Sequence, residues 1–258
     1  MKKLTANYHT HTVRCGHAEG TDREYAEKAV ERGLTLLGFS DHVTMPFPDG
    51  HESRFRVQRA RLDDYVESVL SLREEFKGRL KILLGFEVEY YPDLFGAMRE
   101  LLSAYPVDFL ILGQHFNDSG ESFYNTRPHS DPAMLHAYAD RVLEAASTGA
   151  FSYIAHPDLP NFTGDGTVYR QEMTRLIEGC IRLDLPLELN LLGIREERNY
   201  PDPRFWEIAA RLKPRVVVGC DAHRPEHVAD PQNVKDAFDW LEKYGLKAEE
   251  TAPLHKPF

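Results

Sequence analysis

Cysteine is scarce: Cys15, Cys180 and Cys220 are the only three in 258 residues. So few thiols do not make a disulfide framework, and a reducing, cytoplasmic setting is expected. Long apolar runs are missing too. None approaches the ~18 residues of a spanning helix, and the opening MKKLTANYHTH turns polar too early for the apolar middle of a signal peptide. No membrane partner is expected. Positive charge is in deficit: 31 Lys and Arg face 41 Asp and Glu, for a formal net charge of −10. That balance speaks against nucleic-acid partners, which need basic patches. It still leaves room for a small anion, because bound divalent cations make an acidic protein locally positive. Nor does a glycine-rich phosphate fingerprint follow the first apolar run, which disfavours an open dinucleotide-type sheet.

What the chain does have is a repeated alternation. Strand-length apolar runs lie at about 4–11, 35–42, 81–90, 109–116, 151–158, 186–193 and 215–223. Each is followed by a stretch of helical periodicity, near 22–32, 62–76, 94–105, 132–147, 168–183, 203–212 and 231–244. Runs such as ILLGF, FLILG and RVVVG are almost continuously apolar, as in a parallel sheet covered on both faces. Seven strand–helix units predict an α/β fold, a parallel sheet with right-handed crossovers whose preferred closure is a (β/α) barrel, formed as a single domain over 1–258. An open doubly wound sheet is the alternative. The long irregular stretch 43–61 is expected to be a lid or wall of a site.

Histidine is the informative residue. Of twelve, six fall at the ends of these runs: His9, His11, His42, His115, His156 and His223, with Asp41, Glu87 and Asp221 beside them and His17 in the first loop. The C-terminal ends of barrel strands are where active sites are built. His9 and His11 are two apart, as are Asp221 and His223, so a strand turns each pair to one face. A lone histidine is more often a surface or hydrogen-bonded residue, and His51, His129, His136, His227 and His255 are read that way. Six buried imidazoles together with Glu87 and Asp221, left without a compensating ion, would cost ~1–3 kcal/mol each. Metal ligation is the economical explanation, and imidazole with carboxylate suits zinc, iron or manganese. Cys15 is a candidate soft ligand. Cys220 is expected to pack, Glu89 to support the ligands, and Asn190 to face the mouth of the barrel or cap it.

The ordered set His9-Thr-His11, Cys15-Gly-His17, Asp41-His42, Glu87, Gly113-Gln-His115, His156-Pro-Asp158 and Asp221-Ala-His223 resembles the motif series of the polymerase-and-histidinol-phosphatase (PHP) superfamily. Further stretches are similar to its histidinol-phosphate phosphatase branch: CGHAEG at 15–20, Met45-Pro46, Glu52-Ser-Arg54, Gly85-Phe-Glu87, NLLGIR at 190–195 and Asp221-Ala-His-Arg224-Pro. The resemblance implies a distorted seven-stranded barrel holding three divalent transition-metal ions (zinc, iron or manganese). His9, His11, Glu87 and Asp221 would hold the first. Glu87 would bridge to a second on His115 and His156, and His17, His42 and His223 would hold the third. One departure concerns 157–167, where NFTG at 161–164 stands in a stretch in which family members can place basic residues.

The implied chemistry is hydrolysis of a small phosphomonoester, with L-histidinol phosphate the expected substrate. Metal coordination lowers the pKa of water from ~15.7 toward ~7, which supplies a hydroxide to attack phosphorus. Glu87, Asp221 and Arg195 are the expected catalytic residues. Arg195, Arg224, Arg54 and Asn190 are the expected substrate contacts, an arginine fork being suited to phosphate. Asp158 or a metal-bound water would protonate the leaving alkoxide. The competing readings are a phosphodiesterase or nuclease, a phosphoesterase acting on another small phosphorylated metabolite or nucleotide, and a non-catalytic metal-binding or regulatory subunit.

Overall fold

The computed structural model describes residues 2–258. Four parallel strands, β1 (Ala6–Asn7), β2 (Leu36–His42), β3 (Lys81–Val88) and β4 (Phe109–Leu112), form one sheet in that order. A second parallel pair joins β5 (Leu187–Asn190) to β6 (Val216–Gly219). Around them lie α1 (Asp22–Glu31), α2 (Leu62–Glu75), α3 (Pro92–Leu102), α4 (Pro132–Ser147), α5 (Gly166–Arg182), α6 (Leu191–Arg195), α7 (Pro203–Leu212) and α8 (Pro231–Lys243).

Local chemistry sets the helix starts. Thr21 and Glu24 make a reciprocal capping box on α1. The Asp-Pro pairs 131–132, 202–203 and 230–231 begin α4, α7 and α8, with aspartate as cap and proline at the first helical position.

Six strands form among the described residues, where seven were expected. The run at 151–158 contributes only single parallel bridges, from Ile154 to Leu112 and to Leu187. It stops early because His156 turns to φ +30° and proline follows, which ends regular pairing. Its backbone still bonds both ways: Ser152 N to Leu110 O at 2.8 Å, Ile154 N to Pro186 O at 3.0 Å. At the other edge Thr10 bridges Ala222, with His11 N donating to Ala222 O at 2.9 Å. The run at 186–193 also breaks, because the Asn190 side chain accepts from Gly193 N at 3.2 Å and starts α6.

The sheet curls around a small inner cluster that includes Tyr8, Leu36, Leu83, Phe109, Ile111, Tyr153 and Val217, while a much larger core lies between the strands and the helices. Alternation then places the site. Leu83, Gly85 and Glu87 share one face of β3, and Val217, Gly219 and Asp221 repeat the pattern along β6 and past its end. The inner face is apolar at the bottom and polar at the C-terminal end.

Candidate metal centre

Glu87 stands at the centre of that polar end. Its Oε2 lies 3.4 Å from His9 Nε2, 3.4 Å from His11 Nε2 and 3.3 Å from His42 Nδ1. Its Oε1 lies 2.9 Å from His156 Nε2 and 3.7 Å from His115 Nε2. Asp221 Oδ1 faces His9 Nε2 at 3.5 Å, His11 Nε2 at 3.2 Å and His223 Nδ1 at 3.4 Å. His223 stacks on His11 with centroids 4.2 Å apart, and the rings of His17 and His223 are 4.7 Å apart. All nine residues expected as ligands therefore reach one volume.

That volume is short of hydrogen bonds. His9 Nε2, both nitrogens of His11, His42 Nδ1, His156 Nδ1 and Asp221 Oδ1 are buried without a partner among the described residues. Buried polar atoms left in this way are costly in a folded protein. Donor atoms of His9, His11 and Asp221, of His9, Glu87 and His156, of His11, His42 and Glu87, and of His17, His42 and His223 each lie within 4.8 Å of one another. Nitrogen and carboxylate donors at this spacing fit divalent transition metals. The backbone is strained at two of these residues, since His156 and Asp221 take φ of +30° and +45°. Such conformations cost ~1–3 kcal/mol and persist where the surroundings over-determine them.

Charge within the cluster is polarised. Burial alone would lower the imidazole pKa of His9, but Glu188, Asp221 and Glu87 hold it well above its usual range. Asp221 and Asp41 do the same for His11. His42 and His223 go the other way, well below the ordinary value, because burial dominates for both. Burial would raise the carboxyls of Glu87 and Asp221, yet the facing histidines keep both well below the usual carboxylate range.

Residues 7–191 match the PHP domain family, well over half of the chain. The chain belongs to that family. A relative from Deinococcus radiodurans, described as a probable histidinol-phosphatase, is 32% identical over 230 residues, spanning 85% of this chain and 86% of the relative. The histidinol-phosphatase of Bacillus subtilis is 31% identical over 121 residues, 45% of each chain. The fold matches the crystal structure of histidinol phosphate phosphatase from Lactococcus lactis, complexed with zinc, L-histidinol and phosphate. There the TM-score is 0.72 at 18% identity, over 98% of this chain and 100% of that one.

A cleft of about 570 Å³ opens onto the cluster of this PHP protein, walled by Tyr124, Leu192, Arg195, Glu196, Arg198, Tyr200 and Arg224. Arg195 follows Asn190 by one short helix, and its Nη2 donates to Asp221 O at 3.3 Å. Its Nε and Nη1 are buried without a partner among the described residues. Arg224 stands on the rim, paired with Glu19 at 2.8 Å.

Three sequence expectations are corrected. Arg54 is exposed and lies outside the cleft lining; the buried arginine of that loop is Arg56, whose side chain is 2% exposed. Asn190 does not face the cleft, because its amide donates to Glu188 at 2.8 Å and to Asp221 at 3.1 Å while its oxygen caps α6. Asp158 is pushed up to about 7 by burial, but it accepts from Asp202 N at 2.8 Å and Trp206 Nε1 at 2.9 Å, away from the cleft. It anchors the start of α7 and is not placed to meet a leaving group. His227, read as an ordinary histidine, lines the cleft and accepts from His223 N at 3.4 Å. Cys15 Sγ lies 3.9 Å from His17 Nε2, and burial raises its thiol pKa, which favours the neutral form. Cys220 accepts from Ala229 N at 3.2 Å, as a packing residue would.

Glu188, Tyr124 and Tyr200 escaped the sequence reading, whereas Glu89 takes the supporting role expected of it and Asp41 stands beside the histidines as read. Glu188 is fully buried and takes His9 Nδ1 at 2.9 Å, and Glu89 takes His115 Nδ1 at 2.7 Å. Asp41 faces His11 Nδ1 at 3.4 Å. Two glycines make room for these acids: a Cβ at Gly113 would overlap Glu87, and one at Gly219 would overlap Glu188. Tyr124 lies parallel to His115 with centroids 5.6 Å apart, and Tyr200 sits 5.8 Å from His156.

Proposed function

We propose that this PHP protein is a metal-dependent phosphomonoesterase that hydrolyses L-histidinol phosphate to L-histidinol and phosphate, with its whole chain folded as one distorted seven-stranded barrel. The observation that carries the reading is the pairing of an unsatisfied nitrogen–carboxylate cluster with an unsatisfied arginine at one cleft. The bridge from Thr10 to Ala222 supports closure of the barrel, and the Deinococcus radiodurans relative supports the substrate.

Three ions fit the donor groups. His9, His11, Glu87 and Asp221 would hold one. Glu87, His115 and His156 would hold a second, and His17, His42 and His223 the third. When bound, such ions supply Lewis-acid charge and bring the pKa of water toward neutrality. The chain's own part is positional. Glu87 keeps the two inner donor groups together with one carboxylate, and Asp221 turns a single oxygen toward three imidazoles. Arg195 lines the cleft, and its Nε and Nη1, which have no partner among the described residues, would take phosphoryl oxygens. Arg224 can join it at the rim by exchanging Glu19 for the substrate. Leu192, Tyr124 and Tyr200 line the space for the alcohol.

Purified protein tests the reading directly. It should contain close to three transition-metal ions per chain, and it should release phosphate from L-histidinol phosphate faster than from a panel of other phosphorylated metabolites and nucleotides. A single ion would refute the trinuclear assignment. Preference for another phosphomonoester would overturn the substrate and keep the chemistry. No phosphate from any of them would sink the enzyme.

A further inference from the structure

Arg56 is a cation with almost no contact with water, and it joins two segments that are remote in sequence. It belongs to the irregular stretch 43–61, and its guanidinium binds Glu89, just past the end of β3, and Glu121, in the loop after β4. Arg56 Nε adds a second bond to Glu121 at 3.1 Å. Glu89 is itself fully buried, and its other oxygen lies 2.7 Å from His115 Nδ1. The guanidinium also packs over the Phe55 ring at 4.5 Å. A continuous line of charge-assisted bonds thus runs from the surface loop to a histidine of the cluster.

The consequence for His115 follows from its two nitrogens. With Nδ1–H donated to Glu89, the neutral ring carries its lone pair on Nε2, which faces Glu87 Oε1 at 3.7 Å. Glu89 spends one oxygen on Arg56 and the other on His115, so the guanidinium holds the carboxylate where Nδ1 meets it. We propose that Arg56 is a positioning residue for the metal centre: acting through Glu89, it fixes the tautomer and orientation in which His115 presents Nε2 as a ligand. Through Glu121 it pins the 43–61 loop over that arrangement. Arg56 itself contacts neither donor atoms nor cleft. The inference rests on the proposed ligand role of His115, but not on the identity of the substrate.

Metal retention provides a test that does not depend on turnover. Wild type, Arg56→Met, Arg56→Lys, Glu89→Gln and Arg56→Met/Glu89→Gln would be loaded with zinc, equilibrated against a graded chelator, and analysed for zinc per chain. Supporting residues of metal-bound histidines typically contribute ten- to hundredfold in affinity. Arg56→Met should therefore lose one zinc equivalent at roughly ten- to hundredfold lower chelator strength, and Glu89→Gln by a similar factor. The double variant should match Glu89→Gln alone, because Arg56 acts through that carboxylate. Arg56→Lys keeps the charge without the fork and should fall between. A purely structural arginine would instead lower the melting temperature of every form while leaving zinc retention unchanged. Should Arg56→Met fail to fold, Arg56→Lys and Glu89→Gln still decide. Wild-type retention in both, or losses that add in the double variant, overturns the proposal. Wild-type protein that holds zinc yet spares histidinol phosphate would overturn the substrate and leave the Arg56 proposal standing.

Discussion

Glu188 holds His9 by a 2.9 Å contact to Nδ1, with both side chains fully shielded from water. The same carboxylate accepts from His156 N at 3.0 Å and from Asn190 Nδ2 at 2.8 Å. One acid therefore orients His9 just past the end of β1, steadies the strained backbone of His156, and fixes the amide that in turn holds Asp221. Among the described residues no arginine or lysine pairs with Glu188, and a buried carboxylate is expensive unless something positive lies within reach. His9, held in its charged form or bound to a metal, provides that. Glu188 and the ligand cluster thus depend on each other.

Glu188→Gln should keep the shape and lose the charge. Metal affinity and kcat/KM are each expected to fall ten- to hundredfold. Zinc titration beside steady-state kinetics checks this, and wild-type values for both would remove Glu188 from the centre.

Gly113→Ala adds one methyl group where Glu87 lies. The new Cβ would overlap Glu87 Oε1, and the carboxylate, held by several imidazoles, has nowhere to retreat. Overpacking of this kind typically costs ~1–3 kcal/mol. Because Glu87 must move, zinc content should drop along with the melting temperature. A variant that melts early yet carries full metal would show that the helices, and not Glu87, absorb the methyl group.

The metal cluster was far more legible than its supports, for a physical reason. His9, His42, Glu87, His115 and Asp221 interrupt or end strongly apolar runs, so a polar side chain there has to be explained. Glu188 gives a similar signal, an acid between Leu187 and Leu189 on the same face as Asn190, but a single buried acid is weak evidence without its partner. Arg56 could not be told from Arg54, because both sit in a charged loop and only tertiary packing decides which one is buried. The fold was legible in its alternation, which follows burial. Where strands end was not, since backbone torsions at His156 and the cap made by Asn190 end two runs that remain apolar in sequence.

Stability should depend on pH differently with and without metal. In the chelated protein, His9, His11 and His115 have pKa values raised above the ordinary imidazole, so their ion pairs stabilise fully below pH ~6.5 and are lost as pH rises through the raised values. Asp158, raised to about 7, adds to the same loss up to that pH. Glu87 and Asp221, being depressed, are fully ionised throughout and contribute no slope there. The chelated melting temperature should therefore decline from pH 6.5 toward 9. With zinc bound, protons and metal compete for the same nitrogens, and the stabilisation by metal should grow over that range. Scanning calorimetry at several pH values distinguishes the two slopes; parallel slopes would mean that the histidines do not bind metal.

The guanidinium of Arg195 offers the sharpest test of where phosphate binds. Its pKa is lowered because burial outweighs the nearby Asp221, as for a cation waiting for a counter-charge. One N–H group is spent on Asp221 O, while Nε and Nη1 have no partner among the described residues. A dianionic phosphoryl group between Arg195 and the metals would satisfy both at once. Arg195→Ala should leave metal content intact, because no donor atom of the cluster is removed. A charge-assisted contact of this kind is worth about 1.5–3 kcal/mol, so kcat/KM for histidinol phosphate should fall from about tenfold to somewhat over a hundredfold. The expected loss lies mainly in KM, since the contact already forms with bound substrate. A loss mainly in kcat would place the contact in the transition state. If both constants stayed at wild-type values with metal fully retained, Arg195 would play no part in holding phosphate, and the other arginines of the cleft wall, Arg198 and Arg224, would be the next to replace.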